Sequence, residues 1–580
     1  MIGMPRILLI LLCSAYSLAA WAQPHVEVEI QGISGELKAN VELYLSLEQQ
    51  KNHPLLSAGR IRRLYQMSTG EIGKALQPFG YYRPKIDASL VRVDNDTWRA
   101  RYSIETGPQL PLASFDFAVT GEAAEDPAFQ ALTRTLPLTP GHAFDHLRYE
   151  ELKAELTKLA AERGYFAARF LEHKVEIDLR AYQARIILHF DSGPRYRFGA
   201  IRPTSDVLEP GLLRRYLPFA RGEPYDLNQV IQLQQALGDS DYFRVVEVSP
   251  GTPDAARREV PVNILLTPRK HDKFTIGIGY GSDTGARTRL GWQVPRVNRR
   301  GHRFDTELKL SQIGYSLSSR YAIPLRNPRT DQLIFDAGVV HEETGTSSST
   351  LRTVGASINR SRGPWREVLA LNYQAERFEV AGDHGRSTLL MPGVNWSRIW
   401  GGRRLFLVLD GVRLDLGLRG ANDRFLADTT FFQATGSIKA IRSLGARGRL
   451  IARGSLGSTW TRAFSQLPSS VRFFAGGSQS VRGYAYHSLG PTNAQGQVVG
   501  GRDLLVGSLE YDHRLIGNWS AALFYDRGNA IDALRDPLES GAGFGLRWQS
   551  PVGPVRVDIA SARSRPGRPW RLHINIGPDL

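Results

Sequence analysis

The chain has 580 residues, a formal net charge of +16 and a single cysteine. That length allows several domains, and one cysteine excludes a disulfide-stapled scaffold. The positive charge favours attraction to anionic surfaces such as lipid headgroups or lipopolysaccharide. Nucleic acid is a competing partner, but no basic stretch carries the pattern of a recognised nucleic-acid module.

The N-terminus predicts a secretory signal peptide over residues 1–22. Arg6 precedes the apolar run 7–12, and Ala20 and Ala22 place small residues before a cleavage point at Gln23. The run is shorter than the roughly 20 residues of a membrane helix, so an N-terminal anchor is the less favoured alternative. Cleavage removes Cys13, so we expect an exported mature chain without disulfides.

A pattern of helix, turn and two strands occurs three times before residue 270, at intervals of roughly 75–85 residues. The predicted helices span residues 61–76, 147–163 and 227–237. The predicted strands span 86–93, 98–104, 175–179, 184–190, 245–249 and 260–266. The helices lead into the turns Gly80-Tyr81-Tyr82, Gly164-Tyr165-Phe166 and Asp241-Tyr242-Phe243. Glycine suits the first two turns because helices commonly end at positive φ.

From Lys273 onward apolar and polar residues alternate with a period of two, as in β-strands. Beyond residue 22 no stretch reaches the roughly 18 apolar residues of a membrane helix. The region has length for about 16 strands of 9–11 residues. Tryptophans near predicted strand ends suit interface girdles; they are Trp292, Trp400, Trp519, Trp548 and Trp570. These features favour a transmembrane β-barrel, with a pair of soluble β-sandwiches as the alternative.

A glycine-rich string, residues 472–484, ends in Val481, Arg482, Gly483 and Tyr484. It is similar to the lid-loop motif of the BamA-like superfamily, (Val/Ile)-Arg-Gly-(Tyr/Phe). The resemblance implies a loop that folds into the barrel, where its arginine contacts acids on the inner wall. Glu510 and Asp526 stand at predicted inward positions and match the family's pattern. A guanidinium–carboxylate pair can be bidentate and so can orient the loop.

The three N-terminal units resemble POTRA domains, the periplasmic modules that precede barrels of this superfamily. We expect α+β periplasmic POTRA repeats followed by an all-β transmembrane barrel of about 16 antiparallel strands. The expected boundaries are 23–110, 111–196 and 197–270 for the POTRA domains and 271–580 for the barrel. With three POTRA units, the chain looks most like the TamA family of translocation and assembly modules. BamA would carry five and two-partner secretion translocators two.

The resemblance implies an outer-membrane assembly or translocation factor for clients such as autotransporters, with the POTRA domains in the periplasm. It implies a TamB-like partner anchored in the inner membrane, contact with outer-membrane lipids, and client binding by strand addition to a POTRA sheet edge. No catalytic motif appears, so we expect neither enzyme activity nor a cofactor or metal. A two-partner secretion translocator and a passive porin-like channel are the alternatives.

Barrel closure pairs the first strand with the last. The predicted first-strand residues are Phe274, Thr275, Ile276, Gly277, Ile278 and Gly279. The predicted last-strand residues are Leu572, His573, Ile574, Asn575, Ile576 and Gly577. Glycines weaken strand packing, and Pro578 removes a backbone donor. The sequence therefore predicts a weak seam that can open as a lateral gate and template client strands; the alternative is that these residues merely end strands.

Overall fold

The computed structural model describes residues 25–94, 96–401, 403–404, 407–408, 410–551 and 553–576. The predicted signal peptide, Gly577 and Pro578 therefore lie outside the described residues. The chain divides into two compact units. The arm unit runs to Ala200 and adds residues 219–229 and 250–262; the barrel unit holds 201–218, 230–249 and the chain from Asn263. The division passes through the third repeat.

The first repeat packs helices on a three-stranded sheet. Its elements are β1 (His25–Gln31), α1 (Gly35–Tyr44), α2 (Ser46–Gln50), α3 (Ala58–Leu76), β2 (Lys85–Arg92) and β3 (Thr97–Glu105). The sheet order is β1-β3-β2, with β1 parallel and β2 antiparallel to β3. The Ser57 side chain accepts a hydrogen bond from Arg60 N–H and so caps α3. One face of α3, including Ile61 and Ile72, is buried in the core with Trp98.

The second and third repeats follow the same plan. The second contains β4 (Leu112–Thr120), α4 (Pro127–Arg134), α5 (His146–Arg163), β5 (Arg169–Asp178) and β6 (Gln183–Asp191). The third contains β7 (Arg197–Pro203), α6 (Pro210–Tyr216), α7 (Leu227–Gly238), β8 (Phe243–Pro250) and β9 (Glu259–Pro268). The sheet orders are β4-β6-β5 and β7-β9-β8. The predicted helices and strands are confirmed, but the first strand of each sheet was not predicted.

Two of the predicted turn glycines have a second role in the arm unit. Gly80 and Gly164 both have φ +85°, the left-handed conformation that favours glycine. A Cβ at Gly80 would lie 2.3 Å from the Phe144 carbonyl oxygen, and one at Gly164 would lie 2.8 Å from Tyr225 Cβ. Both neighbours belong to the following repeat. The glycines therefore end a helix and also permit close approach of the next repeat.

The rest of the chain forms a closed antiparallel barrel whose strands follow one another in chain order, with the last paired to the first. The first half holds β10 (Lys273–Gly281), β11 (Gly285–Val294), β12 (Arg303–Ser311), β13 (Gly314–Pro324), β14 (Gln332–Glu343), β15 (Ser347–Arg362), β16 (Trp365–Val380) and β17 (Asp383–Trp400). A small hairpin follows, β18 (Arg403–Arg404) and β19 (Leu407–Val408). The second half holds β20 (Gly411–Ala421), β21 (Phe431–Leu444), β22 (Gly448–Thr461), β23 (Asp503–Arg514), β24 (Trp519–Ile531), β25 (Glu539–Ser550), β26 (Gly553–Ala562) and β27 (Trp570–Ile576).

The predicted fold class, POTRA repeats followed by a 16-stranded barrel, is confirmed. Among the described residues, no helix has both the length and the apolar content needed to cross a membrane. We call the end of the barrel where β10 begins proximal and the end with the β10–β11 turn distal. On β16, Leu371 and Tyr373 are exposed on the outer face, whereas Gln374 and Glu376 are buried on the inner face. The strands are therefore apolar outside and polar inside.

Candidate functional site: the lid loop and the barrel seam

The segment that resembles a lid loop lies between β22 and β23, and its tip is buried. The side chains of Val481 and Tyr484 have almost no exposed surface, and Arg482 is only 2% exposed. Gly483 has φ +98°, and a Cβ there would lie 2.9 Å from the Ala562 backbone nitrogen. This glycine is therefore required both by its conformation and by the close approach of β26.

Arg482 binds Asp526 on the inner face of β24 as a fork. Its Nε donates to Asp526 Oδ2 at 2.7 Å and its Nη2 to Oδ1 at 2.8 Å. The backbone N–H of Arg482 also donates to Oδ2, at 3.1 Å. The guanidinium carbon lies 3.4 Å from the centroid of the Phe524 ring. Charge-assisted, bidentate bonds fix the orientation of the loop as well as its position.

A second acid and a second arginine complete a buried network. Arg482 Nη1 donates to Glu510 Oε2 at 2.5 Å, and Arg547 Nη2 donates to Glu510 Oε1 at 3.0 Å. Arg547 Nη1 donates to Asp558 Oδ1 at 2.5 Å. All four side chains are buried. The loop arginine is thus built into an ion network contributed by β23, β24, β25 and β26.

The sequence pointed to part of this network only. The structure places Arg482, Glu510 and Asp526 together. Sequence analysis missed Arg547 and Asp558, although Asp558 stands at an inward position of an alternating strand and was open to the same reasoning. Removing one member of such a network leaves a buried charge unpaired, which typically costs about 3–5 kcal/mol.

Tyr484, the last residue of the motif, ties the loop to β25. Its hydroxyl donates to Glu539 Oε2 at 2.8 Å. Near this contact, a Cβ at Gly541 would lie 1.9 Å from the Arg482 carbonyl oxygen. The wall of β25 therefore leaves room for the loop backbone by carrying glycine at that point.

The described pairing between β10 and β27 covers two residue pairs. The paired residues are Tyr280 with Ile576 and Gly281 with Asn575. Beyond them, Ser282 N–H donates to the Ile574 carbonyl oxygen at 2.9 Å. Within the described residues, the seam thus lies at the distal end of β10 and the proximal end of β27.

The remaining first-strand residues have no partner on β27 among residues 570–576. Phe274, Ile276 and Ile278 are 73–79% exposed, and they pair only with β11. The sequence predicted that residues 274–279 pair with residues 572–577. The observed register instead sets Leu572 and His573 beyond the end of β10, and a partner for Gly279 would be Gly577, which lies outside the described residues.

The lid loop contacts both sides of this seam. Ser478 N–H donates to Asp283 Oδ2, in the β10–β11 turn, at 2.7 Å. Gly483 N–H donates to His573 Nε2, on β27, at 2.9 Å. His573 Nδ1 and Asp283 Oδ1 face each other at 3.8 Å. Because Nε2 accepts a hydrogen bond, a neutral His573 carries its proton on Nδ1, the ring nitrogen 3.8 Å from Asp283 Oδ1. Sequence analysis placed His573 on the last strand but gave it no partner, and it missed Asp283.

The base of the loop is held on the opposite wall. Glu376, buried on the inner face of β16, accepts hydrogen bonds from the hydroxyls of Ser349 at 2.9 Å and Ser469 at 2.7 Å. The Ser470 hydroxyl donates to the same carboxylate. The loop thus runs from β16 to the strands that flank the seam.

The lumen beside the first strands is more open than the side that holds the loop tip. It holds a cavity of about 790 Å³ with a polar lining that includes Thr275, Arg289 and Glu307. The lumen is therefore unevenly filled, with the loop tip on the side of β23 to β27.

Among the described residues, no group of three or more His, Cys, Asp or Glu is placed to hold a metal ion.

Three family models match the chain. A POTRA model described as "POTRA domain TamA domain 1" matches residues 27–106, a second, described as "Surface antigen variable number repeat", matches 196–269, and an Omp85 superfamily domain matches 406–579. The C-terminal part of the barrel therefore matches the Omp85 superfamily, and the first and third repeats match POTRA models.

Curated relatives and a solved structure agree with this assignment. Outer membrane protein assembly factor BamA from Neisseria meningitidis serogroup B is 21% identical over 76% of this chain. BamA from Neorickettsia risticii is 22% identical over 64% of it. The chain spans 63% and 53% of these relatives' lengths. The structure of BamA from Haemophilus ducreyi lacking POTRA domains 1–3 shares the fold, with 16% identity, a TM-score of 0.67, and coverage of 80% of this chain and 99% of that one.

Proposed function

We propose that the chain is an outer-membrane assembly factor that helps β-barrel clients such as autotransporters to insert through a lateral gate between β10 and β27. The observation that carries the proposal is that the lid loop bonds both sides of the seam, at Asp283 and at His573. In the proposed membrane placement, the proximal end of the barrel and the POTRA repeats face the periplasm.

The repeats offer sites for client strands. In the first repeat β2 is an edge strand that pairs on one side with β3, and β5 has the same position in the second. An extended client segment can add to such an edge through backbone hydrogen bonds, with side-chain pockets giving selectivity. The match of residues 27–106 to the first POTRA domain of TamA supports a TamA-like role. That role includes a TamB-like partner anchored in the inner membrane.

The gate follows from the cost of unpaired backbone in lipid. When the seam opens, β10 and β27 present N–H and C=O groups that the bilayer cannot satisfy. A client strand satisfies them by pairing, so each edge acts as a template. The lid loop holds the closed state, because Ser478 and Gly483 are bonded to the two sides of the seam.

Paired cysteines test the gate. Cys13 is the only cysteine and lies in the predicted signal peptide, so the mature chain offers a clean background. Tyr280→Cys with Ile576→Cys locks the seam, since directly opposed antiparallel residues lie within disulfide range. The matched control is Val557→Cys with Ile574→Cys, which joins β26 to β27 and leaves the seam free.

The readout is insertion of an autotransporter client into proteoliposomes, before and after reduction. We expect the seam disulfide to block insertion reversibly and the control disulfide to leave it unchanged. Unchanged insertion through a locked seam would overturn the gate. A large steady conductance without client insertion would favour a passive channel. Passage of a soluble client across the membrane through a locked barrel would favour a two-partner secretion translocator.

A further inference from the structure

The outer surface of the barrel carries an arginine–tryptophan cluster at the proximal ends of β15, β16 and β17. Its members are Arg360, Arg362, Trp365, Trp396, Arg398 and Trp400. Glu367 lies among them and shares its face of β16 with the exposed Leu369 and Leu371. Trp396 is directly opposite Glu367 in the β16–β17 register. The cluster therefore borders the apolar outer band of the barrel.

One carboxylate accepts hydrogen bonds from three donors in this cluster. Glu367 Oε1 accepts from Arg360 Nε at 2.7 Å and from Arg362 Nε at 2.9 Å. Trp396 Nε1 donates to Glu367 Oε2 at 3.0 Å. Two guanidiniums thus share a single negative charge, and their side chains keep 36% and 60% of their surface exposed.

Arg398 adds a third cation, which forms no ion pair with a carboxylate among the described residues. Its guanidinium carbon lies 4.5 Å from the Trp400 ring centroid and 5.7 Å from that of Trp365. The two indoles meet edge to face with centroids 6.1 Å apart. Arg398 Nε is buried and has no hydrogen-bond partner among the described residues. A buried donor without a partner is unfavourable. An acceptor that reaches Arg398 Nε would therefore stabilise the cluster.

We propose that the arginine–tryptophan cluster binds the phosphate of a glycerophospholipid headgroup. Guanidiniums bind phosphate through forked hydrogen bonds, tryptophans favour the headgroup level of a bilayer, and the cluster has three cations against one carboxylate. The outer band above it, with Leu369 and Leu371, provides a surface for acyl chains. The inference rests on the membrane placement proposed above, which sets the cluster at the periplasmic leaflet, where phospholipid is the phosphate-bearing lipid.

Native mass spectrometry of the full chain in detergent micelles containing phosphatidylglycerol tests the site. The test variant is Arg362→Gln with Arg398→Gln. The matched control is Arg442→Gln near the proximal end of β21, on the same outward register as the exposed Ile438 and Leu444. We expect the test variant to weaken lipid binding by roughly fivefold for each arginine removed, and the control to bind as wild type does. Equal lipid occupancy in all three proteins would refute the site.

Two further measurements separate phospholipid binding from other causes. Glu367→Gln removes the competing carboxylate and should tighten binding, whereas a cluster that only stabilises the fold gives no gain. Retained heat-modifiable migration in gels shows that each variant still forms its barrel. Inorganic phosphate that displaces the lipid at equal concentration would overturn the lipid assignment, because acyl contacts should favour the lipid. Since no client is present, failure of this proposal leaves the gate untouched, and failure of the gate leaves lipid binding measurable.

Discussion

The wall formed by β15, β16 and β17 and the seam formed by β27 and β10 close the same barrel in different ways. The whole of β15 pairs with β16, from Ser347 opposite Val380 to Arg362 opposite Trp365. At the seam the described pairing covers Tyr280 and Gly281. A continuous backbone ladder secures the wall, and other contacts join the described pairing at the seam.

The difference teaches that contacts of the lid loop supplement the described pairing at the seam. Arg482 anchors the loop in the inner wall, and the loop backbone then bonds Asp283 on one side of the seam and His573 on the other. Side-chain and loop contacts can be released without unfolding a strand. A gate placed there can open while the opposite wall stays intact.

The largest expected effect comes from Arg482→Ala, which breaks the anchor. It leaves Asp526 and Glu510 buried with one guanidinium fewer, so we expect a loss of about 3–5 kcal/mol in the free energy of unfolding. Urea unfolding of the barrel, followed by heat-modifiable migration, measures it. Arg482→Lys keeps the charge but not the fork, and should fall between wild type and Arg482→Ala. A double-mutant cycle with Asp526→Ala that shows no coupling would remove the anchor from the account.

A smaller effect is expected from Asp283→Ala, which removes the hydrogen bond between the lid loop and the β10–β11 turn. The lost bond joins a backbone N–H to a carboxylate, and such charge-assisted bonds contribute about 1.5–3 kcal/mol. Faster disulfide formation in the Tyr280→Cys, Ile576→Cys protein reports a more mobile seam. The control is Asp415→Ala on β20, which loses an arginine contact away from the seam. Equal rates in the two variants would contradict the tie between loop and seam.

Two glycines of β10 differ in how closely they approach β27, and so they test the seam contact within one strand. A Cβ at Gly279 would lie 2.6 Å from the Ile576 carbonyl oxygen, whereas one at Gly277 would meet only Arg289 Cβ at 3.7 Å. We expect Gly279→Ala to destabilise the seam by about 1–2 kcal/mol through overpacking and Gly277→Ala to be nearly neutral. Urea midpoints of the two variants measure the difference. A loss of the same size in both would show that strand glycines, and not contact with β27, set the effect.

The smallest effect concerns the arm, which has its own buried carboxylate. Burial raises the pKa of Asp126, but hydrogen bonds from Arg163 and the Ala128 N–H outweigh it and hold the pKa below its ordinary value. A lowered folded-state pKa stabilises the arm above the ordinary aspartate pKa, and the stabilisation is lost as pH falls through the folded value, in the region below about pH 4.

The helical circular-dichroism signal reports the N-terminal repeats in the intact chain, because all seven α-helices of the described residues lie in them. Thermal melts should show acid destabilisation in wild type, and the Asp126→Asn variant should be less sensitive to pH in that range. An identical pH profile in the two proteins would contradict the role of Asp126.

Periodicity and a motif predicted the fold and the loop anchor, because both are local patterns in the chain. Helix α3 and strand β3 followed from apolar spacing, and Asp526 from its inward position near a matching motif. The first strands β1 and β4 also alternate, with Val26 and Val28 in β1 and Phe115 and Phe117 in β4. The predicted repeat, a helix followed by two strands, did not include them.

The seam contacts could not be predicted in the same way. Asp283 lies in a turn and meets Ser478, 195 residues further along the chain. Nothing in the local sequence of either residue specifies that contact, since it depends on the register of barrel closure. The contacts of Arg398 could not be predicted either, because its tryptophan neighbours come together only when β16 and β17 pair.

The central claim is that contacts of the lid loop help to hold the seam closed. Hydrogen exchange of the full chain in lipid nanodiscs tests it, comparing the amides of Ser282 and Ile574 with those of Leu369–Tyr373 in wild type and in Arg482→Ala. The account predicts that the seam amides exchange much faster in the variant, while the amides of β16 keep their protection. Unchanged seam exchange, or an equal rise in both regions, would contradict it.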